Sequence, residues 1–467
     1  MNKPLFGSLQ KISFFLLNIF FLFFLHPAIL AFAQNSNISV TVYNQNFALV
    51  RQTFSFQLEK GEQNIRIEDV AKSIDPTSVH LRSLSDPKSL IILEQVFEYD
   101  LIESNKVLSK FIDQTIQLID SKGNLIEGKL LSVGSDLLLA NENEEITLIK
   151  NKNIHSIKFP KLPDGLNTKP TLVWLVKSEK KSSHQLEIEY LTHGMNWTTE
   201  YVAILNDEGT QLDVDAWISI DNKSGKNFEN ANVSVVAGDL NLARSRRPTP
   251  QYKTMAVSEA RYAQDVSEQG QFEYHLYKID RPVSIGNNQL KQIRMFKADG
   301  VNVTKKYVLN SRERGQRLQV YLRFKNDENN SLGLPFPAGR FRVYQDKTNT
   351  GIFLGEASIK HTPPHEWIEI LMGAAFDLAA KRKQIRVDRI GKQQLRESYE
   401  IVIKNQKSKT VLISVIENLL YRAPNSNWKI IASSHEYSAK DARSIEFKIN
   451  IPAKKETKLT YTVEYSW

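Results

Sequence analysis

No cysteine occurs anywhere in the chain. That absence excludes disulfide staples, a thiolate metal site, a cysteine nucleophile and a lipid-modified cysteine at a processing site. No Gly-x-Ser-x-Gly elbow and no glycine-rich phosphate loop is present, which removes the two commonest one-line signatures of hydrolase and nucleotide chemistry. Lys and Arg number 61 against 52 acids, a net charge of +9, yet no block of like charge is long enough to serve as a nucleic-acid tail. Nucleic acid is therefore not an expected partner. Helix signals are also scarce. Beyond the first 33 residues no stretch approaches 18 consecutive apolar residues, so no later membrane span is expected.

What stands at the start is an export signal. Lys3 and Lys11 give a short basic beginning, and Ile12 to Leu25 is apolar apart from Ser13 and Asn18. Pro27 then breaks the helix, and Ala31-Phe32-Ala33 places small residues where a signal peptidase inspects them. The expected cleavage lies between Ala33 and Gln34. Losing residues 1–33 removes two lysines and no acid, so the mature chain stays basic. The competing reading is an uncleaved anchor over Ile12 to Ala33, the one expected route to a membrane. The expected location is the periplasm or the cell surface of a bacterium, where large cores replace disulfides.

The body is all-β by its periodicity. Leu318, Val320, Leu322 and Phe324 alternate with polar residues, as do Tyr399, Ile401 and Ile403, Ile445, Phe447 and Ile449, and Leu459, Tyr461, Val463 and Tyr465. Period two puts each apolar set on one face of a sheet. Many such strands parted by turns predict a multidomain β-sandwich, immunoglobulin-like in type, with no βα alternation. Residues 34–105 read as an N-terminal β-domain, with the Lys60-Gly61 step as a hairpin turn. Residues 111–160 read as five short strands closed into a small SH3-like or Sm-like barrel. Residues 171–238 read as central sandwich strands and 272–467 as a C-terminal sandwich region. Short helices are expected at Ser104 to Phe111 and, as helix or loop, at Gly373 to Lys383. Residues 239–271 break the pattern; they read as a mobile linker carrying the basic cluster Arg244, Arg246 and Arg247.

Certain middle and C-terminal segments occur in a specific order: Gly194-Met195-Asn196-Trp197 with Tyr201, Asn222-Lys223-Ser224-Gly225, Val236-Ala237-Gly238-Asp239, and Tyr274-His275-Leu276-Tyr277. After these come Lys291-Gln292, the run Leu332 to Tyr344, Gly355-Glu356, His361-Thr362-Pro363 and Gly373-Ala374-Ala375-Phe376-Asp377. In this order the chain resembles the bacterial domain-of-unknown-function family 4139 over roughly residues 170–467. The resemblance implies β-sheet structure and frequent export, and brings no catalytic residues with it. On physical grounds Trp197 and Tyr201 read as core anchors, Pro335 and Pro337 as corner residues, and Gly333 and Gly339 as turn residues.

The sharpest chemical candidate is His361-Thr-Pro-Pro-His365-Glu366. Two imidazoles and a carboxylate this close in sequence are metal-ligand types, and Asp377 is a possible fourth. Pro363 and Pro364 forbid the helix that would stack positions i and i+4, so the leading expectation is a β-corner, with a metal-assisted hydrolase as the alternative. His184, His193 and His275 read as packed or surface histidines, and Asp213 with Asp215 as the polar face of a strand. No cofactor is expected. Taken together, the residues predict a non-catalytic envelope protein that binds or scaffolds through loops and sheet edges, its partner an envelope protein or a glycan. Aromatic rows such as Tyr321 or Tyr344 are the candidates for the glycan case.

Overall fold

The computed structural model describes residues 37–100, 103–160, 167–238, 266–271, 274–311, 317–347, 350–419 and 427–467. The expected leader and cleavage point, the arginine cluster and residues 239–265 of the expected linker lie outside them. The fold is all-β, with 68% strand against 4% helix, so the alternation carries through. Among the described residues six sheets form, and none closes into a barrel.

The N-terminal layers show how alternation becomes a sandwich. In Phe47–Leu58 the residues Val50, Phe54, Phe56 and Leu58 are buried while Arg51, Ser55 and Gln57 face out. This strand sits in an eight-stranded sheet between Ile38–Tyr43 and Ser182–His193. A three-stranded sheet of Gly61–Glu68, Thr171–Ser178 and Leu90–Glu98 shares its core, and Trp174 is fully buried in that core. Lys60-Gly61 is a turn, with Gly61 at φ +109°, but it is not a hairpin. The strand before it pairs with Ser182–His193 and the strand after it with Thr171–Ser178. The turn is thus a corner that carries the chain from one layer to the other.

Between Leu90–Glu98 and Thr171–Ser178, which pair directly with Thr171 opposite Glu98, the chain leaves to build a separate small unit. It holds the helix Ser104–Lys110 and the strands Thr115–Asp120, Leu125–Val133, Asp136–Ala140, Ile146–Lys150 and Ile154–Lys158. The barrel expected here is an open sheet instead: Ile154–Lys158 and Ile146–Lys150 are its two edges, and no pairing joins them. Val107, Leu108 and Phe111 pack on its apolar face, so that face is covered without closure.

The central sheet is Gln289–Asn302, Gln211–Asn222, Met195–Leu205, Gly339–Lys347 and Thr350–Ile359. It shares the large first core with the N-terminal layers. A six-stranded sheet runs Trp367–Ala374, Gln319–Lys325, Thr304–Asn310, Val411–Asn418, Ser444–Ile451 and Tyr437–Asp441. A four-stranded sheet of Leu378–Gly391, Gln394–Asn405, Glu456–Ser466 and Asn427–Ser433 completes the C-terminal sandwich. The helix or loop expected at Gly373 to Lys383 is mostly strand, because Ala374 ends one ladder and Leu378 begins the next. The six-stranded sheet belongs to both sandwiches. Leu322 and Phe324 enter the first core, whereas Leu318 and Val320, spaced to share their face, pack in the second.

Three asparagines brace the crossings between layers. Asn222, Asn326 and Asn405 are each fully buried at a strand end where the chain passes to the opposite sheet. Asn405 Nδ2 donates to the carbonyls of Lys409, Ile451 and Pro452 at 2.9, 3.0 and 3.1 Å, and its Oδ1 accepts the Lys407 N–H at 2.9 Å. Asn222 bonds the carbonyls of Lys226 and Gly286 and the Ser224 N–H in the same way. Asn326 bonds the carbonyls of Leu334 and Pro363 and the Gly333 N–H. Each strand that follows such a corner then makes a parallel pair: Phe228–Ala237 with Ile38–Tyr43, Gly339–Lys347 with Met195–Leu205, and Val411–Asn418 with Thr304–Asn310. The fold therefore repeats one crossing device three times.

Candidate functional site

The family-like segments settle into the core. Tyr201 stacks between Phe336 and Phe341 with both ring centroids 5.3 Å away, and its hydroxyl donates to the Pro337 carbonyl at 2.8 Å. The Tyr277 hydroxyl donates to the Pro335 carbonyl at 3.2 Å, and Trp197 Nε1 to the Val236 carbonyl at 3.0 Å. Gly339 lies so close to its parallel neighbour that an added Cβ would sit 2.2 Å from the Thr199 carbonyl oxygen. These residues specify the fold.

The histidine-rich corner does not gather its side chains. His361 Nδ1 accepts the Ala338 N–H at 3.0 Å, while Phe336 and Thr362 exchange backbone hydrogen bonds at 2.9 Å. His365 takes a left-handed φ of +66°, and its Nδ1 lies 3.9 Å from a Glu328 carboxylate oxygen. The Glu366 carbonyl accepts the Asn326 N–H at 2.9 Å, and Asp377 pairs with Lys407 at 3.2 Å. Among the described residues no group of three or more His, Asp or Glu side chains is placed to hold a metal. The physical reason is the turn itself: Pro363, Pro364 and the left-handed residue send neighbouring side chains to different partners.

The other polar candidates are also partnered. His184 is fully buried, with Ser83 Oγ at 2.9 Å from Nδ1 and Ser182 Oγ at 2.9 Å from Nε2. One ring nitrogen donates and the other accepts, so both are satisfied. Asp213 accepts the Gly300 N–H at 2.8 Å, and Asp215 lies 3.4 Å from Arg294. Tyr321 is half-buried, and Tyr344 packs against Phe353 with centroids 5.3 Å apart. Of the expected linker, Val266–Gln271 is a strand paired with Tyr274–Ile279 rather than a free connection.

One polar cluster escapes sequence reasoning, because its members lie far apart in the chain. Inside the C-terminal sandwich Arg382 Nε donates to Glu417 at 2.9 and 3.2 Å, and its terminal nitrogen donates to the Tyr461 hydroxyl at 3.2 Å. Tyr461 itself donates to Glu417, which is fully buried. Tyr399 stacks on Tyr461 at 5.2 Å, lies 3.9 Å beneath the Arg382 guanidinium and donates to buried Glu397 at 2.8 Å. Burial pulls the arginine pKa down, but the bonds to Glu417 and Tyr461 outweigh it and hold it above its usual value. Burial, then Glu397, pushes Tyr399 up to about 12. Every one of these groups has a partner, so the arrangement locks two opposed sheets and leaves no open position for a substrate.

What remains open is an edge. Leu90–Glu98 has one neighbour, Thr171–Ser178, and no described strand pairs its other side. Ile91 and Val96 are 47% and 50% exposed, and Ile92 and Leu93 stand in solvent beside them. Leu93 is the extra residue of a β-bulge. Proteins usually guard such an edge with lysine or proline. This strand has neither, and of its two acids Glu98 is already bound to Arg66 at 2.7 Å. Its C-terminal half is pinned, by Arg66 with Asn167 at Glu98 and by the 2.9 Å bond from Trp174 Nε1 to Gln95. The edge is therefore a preformed, rigid strip of unpaired backbone with apolar side chains.

No curated protein matches the chain significantly. Residues 40–128 match the profile of an N-terminal domain of unknown function (DUF4140), a span that runs from the first sandwich into the small inserted sheet. Residues 186–467, more than half the sequence, match the profile of a domain of unknown function (DUF4139), and the chain belongs to that family.

Proposed function

We propose that this chain is an exported bacterial envelope protein that binds or scaffolds without chemistry of its own, taking an extended segment of another envelope protein onto the edge strand Leu90–Glu98. The leader at residues 1–33, cut between Ala33 and Gln34, delivers it to the periplasm or cell surface. The observation that carries the binding role is the unguarded edge. Unpaired N–H and C=O groups give a strand affinity for any extended peptide, and the apolar side chains that flank them give it selectivity. The sealed state of the Arg382 cluster and the scattered histidines favour binding over catalysis.

A photoreactive residue in place of Val96 tests this in the living envelope. A cross-linked adduct of one defined size is expected, and Ile92→Lys should abolish it while leaving the thermal melt unchanged, since exposed edge substitutions alter stability by only about 0.5 kcal/mol. An adduct of twice the chain mass would identify self-association instead. Full adduct formation in the Ile92→Lys variant would sink the proposal.

A further inference from the structure

At the opposite extreme of the chain, the hairpin formed by Leu378–Gly391 and Gln394–Asn405 outruns the core that supports it. Its first half is ordinary: Leu378 and Arg382 lie against the second core and the buried cluster. Its second half carries Ile385, Val387 and Ile390 at 56%, 53% and 45% exposure. Two β-bulges interrupt the ladder here, between Gln384 and Arg386 and between Arg389 and Gly391. The extra residue is Ile385 in the first and Ile390 in the second. Bulges re-aim side chains, and both of these give an isoleucine to solvent. The other edge strand of this four-stranded sheet, Asn427–Ser433, repeats the device: its bulge falls between Ile430 and Ala432, and the extra residue, Ile431, is 41% exposed.

The unpaired charge around these isoleucines has one sign: the acids on the adjacent strands, Glu400 and Glu464, are paired with Lys458 and Arg396. Lys381, Lys383, Arg389 and Lys392 sit on the hairpin, and Lys429 sits on the opposite edge strand; all are exposed and none is ion-paired among the described residues. Asp388 is the one acid in Leu378–Gly391, and Arg386 neutralises it at 2.6 Å. Lysines alone would be an ordinary guard against strand pairing, but a guard would omit the isoleucines. Two bulges five residues apart break this edge, whereas Leu90–Glu98 has one and keeps Glu94–Glu98 in unbroken register. A surface that accepts apolar side chains between cations, without requiring a matching ladder, is the headgroup region of an anionic bilayer: isoleucine enters the acyl boundary while Lys and Arg stay with the phosphates. Trp428 and Trp467, half-buried near the hairpin turn, are the residue type that favours that boundary.

We infer that this end of the C-terminal sandwich docks on an anionic lipid surface, through Ile385, Ile390 and Ile431 with Arg389, Lys392 and Lys383. The docking is independent of strand addition at Leu90–Glu98.

Vesicle co-sedimentation of the full chain tests it, with phosphatidylglycerol vesicles set against phosphatidylcholine vesicles. The quantity read is the excess binding to the anionic lipid, compared between parent and variants, which share residues 1–36. The parent should show an excess that falls as salt is raised. Arg389→Ser with Lys392→Ser should cut it about twenty-fivefold, from roughly a fivefold contribution per cation. Ile385→Ser with Ile390→Ser should cut it about tenfold, with thermal melts unchanged. Lys383→Ser with Lys429→Ser serves as the second charge variant if the first fails to fold. No excess in the parent, variants that bind like the parent, or capture of an acidic protein in place of vesicles would each overturn the inference.

Discussion

Glu417 is fully buried in the second core between two donors, Arg382 and Tyr461. Removing one charge of such a pair strands the other, which costs about 3–5 kcal/mol, whereas removing both costs far less. Glu417→Leu should therefore lower the stability measured by urea unfolding by that amount, and adding Arg382→Leu should restore most of it. A simple sum of the two losses would show that the groups are not coupled. The tyrosines add a pH signature. Tyr399 is raised from 10.0 to about 12 by burial first and Glu397 second, and burial then Glu417 raise Tyr461 well above the phenol range. A raised pKa means that the unfolded chain loses the proton first. The stabilisation is whole below pH 10 and drains away as pH climbs through about 12. Absorbance titration should find at least two phenols ionising late, together with unfolding. Phenolate appearing uniformly near pH 10 would contradict this. Nothing in the sequence announces the cluster: Arg382 and Glu417 are 35 residues apart, and only the sheet crossing at Asn405 brings them together.

Strands and corners obey different rules of legibility. Alternation reveals Gln319–Lys325 or Glu456–Ser466 because one face is buried and the other wet. It hides Leu90–Glu98, whose Leu-Ile-Ile-Leu start has no period, because an edge position leaves both its faces partly open. It also cannot tell a hairpin from a layer change, as Lys60-Gly61 shows, since both need only a tight turn. The corners are governed by single buried amides. Asn405→Ala would leave three carbonyls and one N–H without their partner, at a cost of about 2–3 kcal/mol. Because Asn405 braces the second core and not the first, its loss should lower the melting of the C-terminal sandwich while the N-terminal one keeps its own. The two are separable by tryptophan fluorescence with Trp174 and Trp428 as reporters, each read in a chain whose other five tryptophans are replaced by Phe. Equal loss in both would show that the corner is not local. In the histidine-rich corner the residues are legible and their arrangement is not. Proximity along the chain predicts convergence only where the backbone is regular, and two prolines end that regularity.

At the scale of the molecule, the small open sheet hangs from two strands that already pair with one another, Glu98 opposite Thr171. Its core is separate from the other two. Replacing residues 101–166 with a short Gly/Ser turn should leave the rest of the fold and its melting temperature within a few degrees of the parent. Loss of folding would mean that the unit supports its host. The six-stranded sheet behaves in the opposite way. The side chains of one strand, Gln319–Lys325 with Leu318 before it, are divided between both large cores. Bending the two sandwiches against each other would therefore mean shearing a hydrogen-bonded ladder rather than opening a hinge. Tension applied to the Leu378–Asn405 hairpin would pass into that sheet through Trp367–Ala374 and Val411–Asn418, the strands on either side of it in the chain. A molecule so built transmits force as a spar does, holding whatever grips one end at a fixed distance from whatever grips the other.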